Sequence, residues 1–587
     1  MKHVDCLKAG IKPGCDITEA LYRLFCENPY DTEFIFAKGE YDFTPRFSYD
    51  YRLSNTDVLP ARKLGIWMRG MKHIRLDFSG SKLYFAGQMQ ALTFDHCEDI
   101  IVKNAVIDWK KPLVAEGIVK NIGEGYVDLY VDPIAFPHRC VDGWLEFDTG
   151  NDEWYPLVRG SSSIQFDANT RTVRRSTGDV FSAISFAPLG NSIYRVTANG
   201  WESAAIGNIL VLRHNAREHA GAFFEKCCDM TLENITFHSC GGLGCLAQFS
   251  HNLTFRSINF LPNTAARRLI SNGRDDGMHI TCCSGTVTVE NCAFMGLMDD
   301  PINVHSCCVT VKRVVDARTL ECHYEHEQAR GFFYWAEPGD HIAFIERRHM
   351  SNIGSAAIAS YALCDSMDDF LLTFEEDLPK ELLQNAEEKG KLALDNLSHT
   401  AAFVCRNNRF GSCRARGVLI STPKPVRVEN NVFASSGSAI LVAGDSNYWF
   451  ESGECHDVEI SGNYFTDACL SSPYQFGEGI ISICPVVPEP VTALPFHKNI
   501  RIHDNVFDTA DTPVLYAFST AYLTFAHNRI FHSPAAEKWL SYDGLIRLDH
   551  CKDVTVEDND MVGSFALSVY DIKDCENLYL DGKSSEA

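Results

Sequence analysis

The sequence has no apolar run near the ~18 residues that a membrane-spanning helix needs, and its start, Met1-Lys2-His3-Val4-Asp5-Cys6, has no apolar signal-like core. A protein without a membrane partner is expected, placed in the cytoplasm unless a leader has been trimmed. Positive charge is in short supply: 53 Lys and Arg face 77 Asp and Glu, for a net charge of −24. That balance disfavours nucleic acid and anionic lipid as partners. The chain holds 23 cysteines, yet no two have the Cys-x-x-Cys spacing of a zinc site, so neither a metal nor a cofactor is expected. Doublets such as Cys227-Cys228, Cys282-Cys283 and Cys307-Cys308 sit at strand-like positions, where a thiol packs as a small apolar side chain.

What is present is a repeat. Its unit is a polar doublet, two alternating apolar positions, an Asn or equivalent, and an aromatic or aliphatic residue. It opens at Glu98-Asp99-Ile100-Ile101-Val102-Lys103-Asn104 and returns at 229–237, 252–260, 287–294, 426–433, 458–465, 500–507, 523–531 and 554–559. Apolarity of period two marks strands, and the recurring Asn suits a bend or a ladder between turns of chain. A second strand led by a small residue, as in Gly417-Val418-Leu419-Ile420, lies between copies. A spacing of about 22 to 33 residues fits an all-β, right-handed parallel β-helix, while the consensus of leucine-rich repeats is absent. The runs at Leu232, Phe255, Val289, Val428, Ile460, Ile502, Phe525 and Val556 are expected to stack as parallel strands of one sheet.

A helix over 16–25, N-capped by Asp16, is expected to cover the first open end. Two stretches break the repeat and read as inserted small β, barrel-like domains. The expected division is 1–113 for cap and first coils, 114–200 for one insertion, 201–308 for further coils, 309–398 for the second insertion, and 399–587 for the last coils. Within the second insertion, Gly331-Phe332-Phe333-Tyr334-Trp335 reads either as barrel core or as a sugar-stacking surface.

Two acidic doublets stand out, Arg274-Asp275-Asp276-Gly277 and Met298-Asp299-Asp300-Pro301. Overlaying Met278 on Ile302, 24 residues on, overlays Asp276 on Asp300 and Asp275 on Asp299. On stacked strands the doublets lie about 4.8 Å apart. Four carboxylates that close repel and shift one another's pKa. Acid–base chemistry uses such a cluster, and a metal cage or a pair of capped turns would also account for it. One pair with one opposing acid across a gap is the arrangement of inverting glycoside hydrolysis.

The same residues carry a family resemblance. The motifs Arg274-Asp275-Asp276-Gly277-Met278-His279 and Met298-Asp299-Asp300-Pro301-Ile302-Asn303-Val304-His305, on a β-helix with two inserted β domains, resemble glycoside hydrolase family 110. The resemblance implies an inverting exo-α-1,3-galactosidase, of which some act on blood group B antigens. It implies Asp299 as general acid, Asp276 and Asp300 as holders of the attacking water, and an α-galactosyl oligosaccharide or glycoconjugate as substrate. Asn272, Arg274, Asp275, His279, Asn303 and His305 are candidate substrate-binding residues. Arg416 overlays Asp300 if register survives the second insertion, and would keep a base carboxylate ionised. The polar cluster Arg213-His214-Asn215-Ala216-Arg217-Glu218-His219 either lines the groove or closes the first insertion. Two other readings stay in play. A polygalacturonase-like endo-hydrolase would carry Gly-His-Gly and Arg-Ile-Lys motifs, which are missing. A non-catalytic β-helical glycan-binding protein would need no aspartate-rich coil. The oligomeric state is left open, a homodimer included.

Overall fold

The computed structural model describes residues 1–587 except 58, 60, 215–216, 328–333, 475–477, 541, 543, 564–567 and 586–587. Sheets of 23 and 14 strands run through it, with strands of successive coils paired in parallel. Leu232 pairs with Phe255, Phe255 with Val289, Val289 with Cys405 and Cys405 with Val428. The ladder continues through Ile460, Ile502 and Phe525 to Val556. The expected stack is therefore present, with the strand Ala402–Arg406 as one more coil. The fold is a parallel β-helix.

In-register coils place like residues over like, and two columns result. Rings of Phe237, Phe260, Phe294, Phe410, Phe433, Phe465 and Phe507 stack with centroids 4.5 to 5.7 Å apart and planes within 13° of parallel. At the neighbouring bend the carboxamide oxygens of Asn431, Asn463, Asn505, Asn528 and Asn559 each accept the backbone N–H of the equivalent Asn one coil earlier, at 2.8 to 3.0 Å. The residue before each of these asparagines is left-handed, as at Asn430 (φ 56°) and Asp504 (φ 56°). Asn and Asp tolerate that conformation better than most residues.

The covering helix is Thr18–Glu27 rather than 16–25. Asp16 is already bridged to Asp42 in strand fashion, so it holds Thr18 through its carboxylate without being the cap residue. The first insertion contains a six-stranded antiparallel sheet and a three-stranded meander. The sheet runs past residue 200, because Ile209–Leu212 pairs antiparallel with the strand Ala115–Gly123. The second insertion is a closed six-stranded barrel from Val309 to Asn396, flanked by the helix Lys380–Glu387. Trp335 is buried in its core and donates to Cys307 O at 2.8 Å. Gly331–Phe333 lie outside the described residues. The coil resumes in register after the barrel: Ile302 pairs directly with Val418.

Candidate active site

The two doublets meet as the overlay requires. Met278 pairs with Ile302 and His279 with Asn303. Gly277 N donates to Asp300 O at 2.9 Å, and Met278 N to Pro301 O at 2.8 Å. A Cβ on Gly277 would meet Pro301 O at 2.6 Å, so this closeness of coils requires glycine there. The carboxyl groups face a cavity of about 450 Å³. Its walls come from the sheet, from Asn55 and Asp57, from Arg213 and Arg217, and from an excursion that carries Trp449 and Glu451.

A buried carboxylate is costly unless paired, and arginines pair Asp275, Asp299 and Asp300. Arg274 donates to both oxygens of Asp275 at 2.9 Å, and Arg217 adds a third bond at 2.9 Å. Burial alone would raise the pKa of Asp275, but Arg217 and Arg274 together hold it well below the usual range. Asp300 accepts from Arg416 N and Arg416 Nε, each at 2.9 Å, and from Arg416 Nη2. Burial still pushes its pKa up to about 6, with Arg416 opposing and Asp299 adding. Asp276 is driven well above the ordinary range, by burial first and then by the charge of Asp299. Its Oδ2 lies 2.7 Å from His279 Nδ1. Asp299 accepts from Arg217 at 3.1 Å and lies 3.8 Å from Arg414. Its side chain is 19% exposed against 6% for Asp276 and 2% for Asp300, so it sits on the open side of the trio.

Of the candidate residues, Asp275, Asp276, Asp299, Asp300, Arg274, His279, Asn303 and Arg416 line the cavity. Asp275 has its oxygens committed to arginines and is a fixed anion. Two expectations of direct substrate contact need correction. The loop holding Asn272 folds onto the next coil, where the Asn272 amide donates to Met295 O at 2.7 Å, off the cavity wall. His305 lies behind His279, Nε2 to Nε2 at 2.8 Å, and turns Nδ1 to Ser306 O at 2.7 Å. The cluster at 213–219 serves both ends: Arg213 and Arg217 reach the cavity, while the His214 ring stacks on Phe147 of the first insertion at 4.5 Å. Asn215 and Ala216 lie outside the described residues.

Asn55, Arg414, Trp449, Glu451 and Tyr474 were not among the expected residues. Arg414 lies two residues before Arg416, in the turn ahead of the strand Val418–Ser421, and lines the same cavity. Glu451 had no signal in the sequence. It is placed by an antiparallel pairing in which Cys307 faces Glu451. Its Oε2 then accepts from Asn303 Nδ2 at 3.3 Å, and its Oε1 lies 3.6 Å from His305 Nε2. Among the described residues, His279, His305 and Glu451 form one of two groups whose ligating atoms converge within 4.8 Å. Cysteine spacing could not have disclosed it.

Residues 115–210 match the family model described as GLAA-B beta-barrel domain I, and residues 319–385 match GLAA-B beta-barrel domain II. The chain is 36% identical over 547 residues to Alpha-1,3-galactosidase B of Bacteroides thetaiotaomicron, covering 92% of this chain and 87% of that protein. It is 33% identical to Alpha-1,3-galactosidase B of Phocaeicola vulgatus, covering 86% and 88%. It is 29% identical to Alpha-1,3-galactosidase A of Bacteroides fragilis, covering 89% and 85%. Among solved structures, the family 28 exopolygalacturonase of Yersinia enterocolitica is similar with a TM-score of 0.43 and 11% identity, covering 99% of this chain and 79% of that one. Identity of 36% across most of both chains, with both barrel domains matched, means that the chain belongs to the α-1,3-galactosidases of glycoside hydrolase family 110 and is a glycosidase.

Proposed function

We propose that the protein removes a terminal α-1,3-linked galactose from an oligosaccharide or glycoconjugate, of linear α-Gal or blood group B type, with inversion at the anomeric carbon. The observation that carries the reading is the convergence of Asp276, Asp299 and Asp300 on one cavity through stacking of two doublets. A cavity walled by Asn55, Arg217, Trp449 and Glu451 favours a chain end over a continuous polymer, which needs a groove open at both ends. The names of the relatives support the linkage.

In this mechanism Asp299 protonates the glycosidic oxygen while Asp276 and Asp300 hold a water and take its proton as it attacks from the opposite face. The position of Asp299 on the open side suits a group that must reach the oxygen of the departing sugar. Arg416 on Asp300 supports ionisation of the base. One observation favours exchanged roles. Asp276 is driven well above the ordinary carboxylate range and so holds a proton readily, whereas Asp299 accepts a hydrogen bond from the Arg217 guanidinium. Dependence on the leaving group separates the two assignments.

Incubation with a panel of α-galactosides, with proton NMR of the first sugar released, tests the proposal. β-Galactose from α-1,3-linked substrates is expected. α-Galactose as first product would overturn inversion, and release from other linkages alone would overturn the linkage.

A further inference from the structure

We propose that His279, His305 and Glu451 form a binding site for a divalent transition-metal ion of the zinc class at the floor of the cavity. The Nε2 atoms of the two histidines face each other at 2.8 Å, their rings crossed at 83°. Glu451 Oε1 lies 3.6 Å from His305 Nε2. Both rings are buried, and both have their other nitrogen engaged: His279 Nδ1 with Asp276 Oδ2 at 2.7 Å, and His305 Nδ1 with Ser306 O at 2.7 Å. A carboxylate or carbonyl behind each imidazole is the usual support of a metal-ligating histidine, because it fixes the tautomer and aims the free nitrogen.

Hydrogen-bond accounting points the same way. Ser306 O can only accept, so His305 carries its proton on Nδ1 and presents a lone pair at Nε2. In the tautomer that donates Nδ1–H to Asp276 Oδ2, His279 too presents a lone pair at Nε2. Two lone pairs then converge beside a carboxylate. The near donor is the Asn55 amide, 2.7 Å from His279 Nε2, and one N–H does not serve both rings well. A cation between the nitrogens resolves the conflict. Two His and one Glu is a three-ligand set that leaves a fourth position open, here towards the cavity. Zinc–nitrogen bonds of about 2.0–2.1 Å at a tetrahedral angle put the nitrogens roughly 3.3 Å apart, so the rings must open by roughly half an ångström. Next to the ligands, the buried Asn303 holds Glu451 through its Nδ2, and its Oδ1 has no hydrogen-bond partner among the described residues and can accept from an ion-bound water. The other convergent group, Asp549, His550 and Asp574, is partly exposed at the surface.

The test is calorimetric titration of the full-length, chelator-treated protein with Zn²⁺, repeated with Co²⁺ as a spectroscopic probe. Saturable binding of one ion per chain is expected, weakened at least tenfold in H305A and in E451Q, with thermal melting to show that each variant is folded. E451Q keeps shape and hydrogen bonding, so it decides the matter if H305A misfolds. Absence of saturable binding would overturn the proposal and leave the histidines as a proton-sharing pair. Binding that survives both substitutions would place the ion elsewhere and overturn it equally. The readout is binding, so the result stands apart from any outcome on hydrolysis.

Discussion

Asp276 and Asp300 occupy equivalent positions on successive coils, joined by the 2.9 Å bond from Gly277 N to Asp300 O. Two carboxyls one strand spacing apart and facing one cavity can share a single water. D276N and D300N should therefore each lower kcat by about a hundredfold or more, the scale of general-base catalysis. The loss should be alike on a disaccharide and on an activated aryl galactoside, since water must be activated whatever leaves. Steady-state kinetics on both substrates checks it, and a fully active D276N would show that Asp276 does not hold the water.

Arg416 is the cation that opposes burial at Asp300. With Asp300 at about 6 and needed as an anion, activity should fall as pH drops through that range. R416Q removes the opposing charge, so the carboxyl should hold its proton to higher pH. The acid limb of kcat/KM should then move upward. An unmoved limb in an otherwise impaired variant would mean that Asp300 is not the group being titrated.

The asparagine ladder makes a prediction about stability alone. Asn463 Oδ1 accepts from Asn431 N at 2.9 Å, and its amide donates to Val428 O at 2.9 Å. N463A leaves the buried Asn431 N–H without that acceptor, a cost of about 1–3 kcal/mol. Thermal denaturation should show a lower midpoint, while kinetic constants well below it stay unchanged. A midpoint equal to wild type would mean that the ladder orders the bend without stabilising it.

These residues differ in how far they can be read in advance. Met278 over Ile302 is legible because a single coil separates them and period-two apolarity says which side chains face the core. Arg416 over Asp300 follows only if the barrel departs from and returns to the same edge, which Ile302 and Val418 satisfy. The strand Ala402–Arg406 is easily passed over because it follows directly on the barrel. Asn55, Trp449 and Glu451 lie in excursions that no period governs. The bond between Asn303 and Glu451 joins residues 148 apart. The same gap hides His305: the overlay pairs it with Thr281, whereas its ring leans diagonally to His279 on the same face.

The roles within the trio divide on leaving groups. Asp299 is assigned as acid because it lies on the open side, where the departing sugar's oxygen must be protonated. An activated aryl galactoside leaves with little protonation, so D299N should retain far more activity on it than on an α-1,3-linked disaccharide. D276N, which removes half of the base, should show no such selectivity. The electrostatics set up the rival outcome, since burial and the charge of Asp299 drive the Asp276 carboxyl up. If D276N is the variant rescued by the activated leaving group, then Asp276 delivers the proton and Asp299 belongs with the base. Rescue of D300N would be a third result, hard to reconcile with a carboxylate clasped by Arg416 through its backbone N–H and its guanidinium. The ratio of kcat/KM on the two substrates, measured for all three variants at one pH, distinguishes these cases.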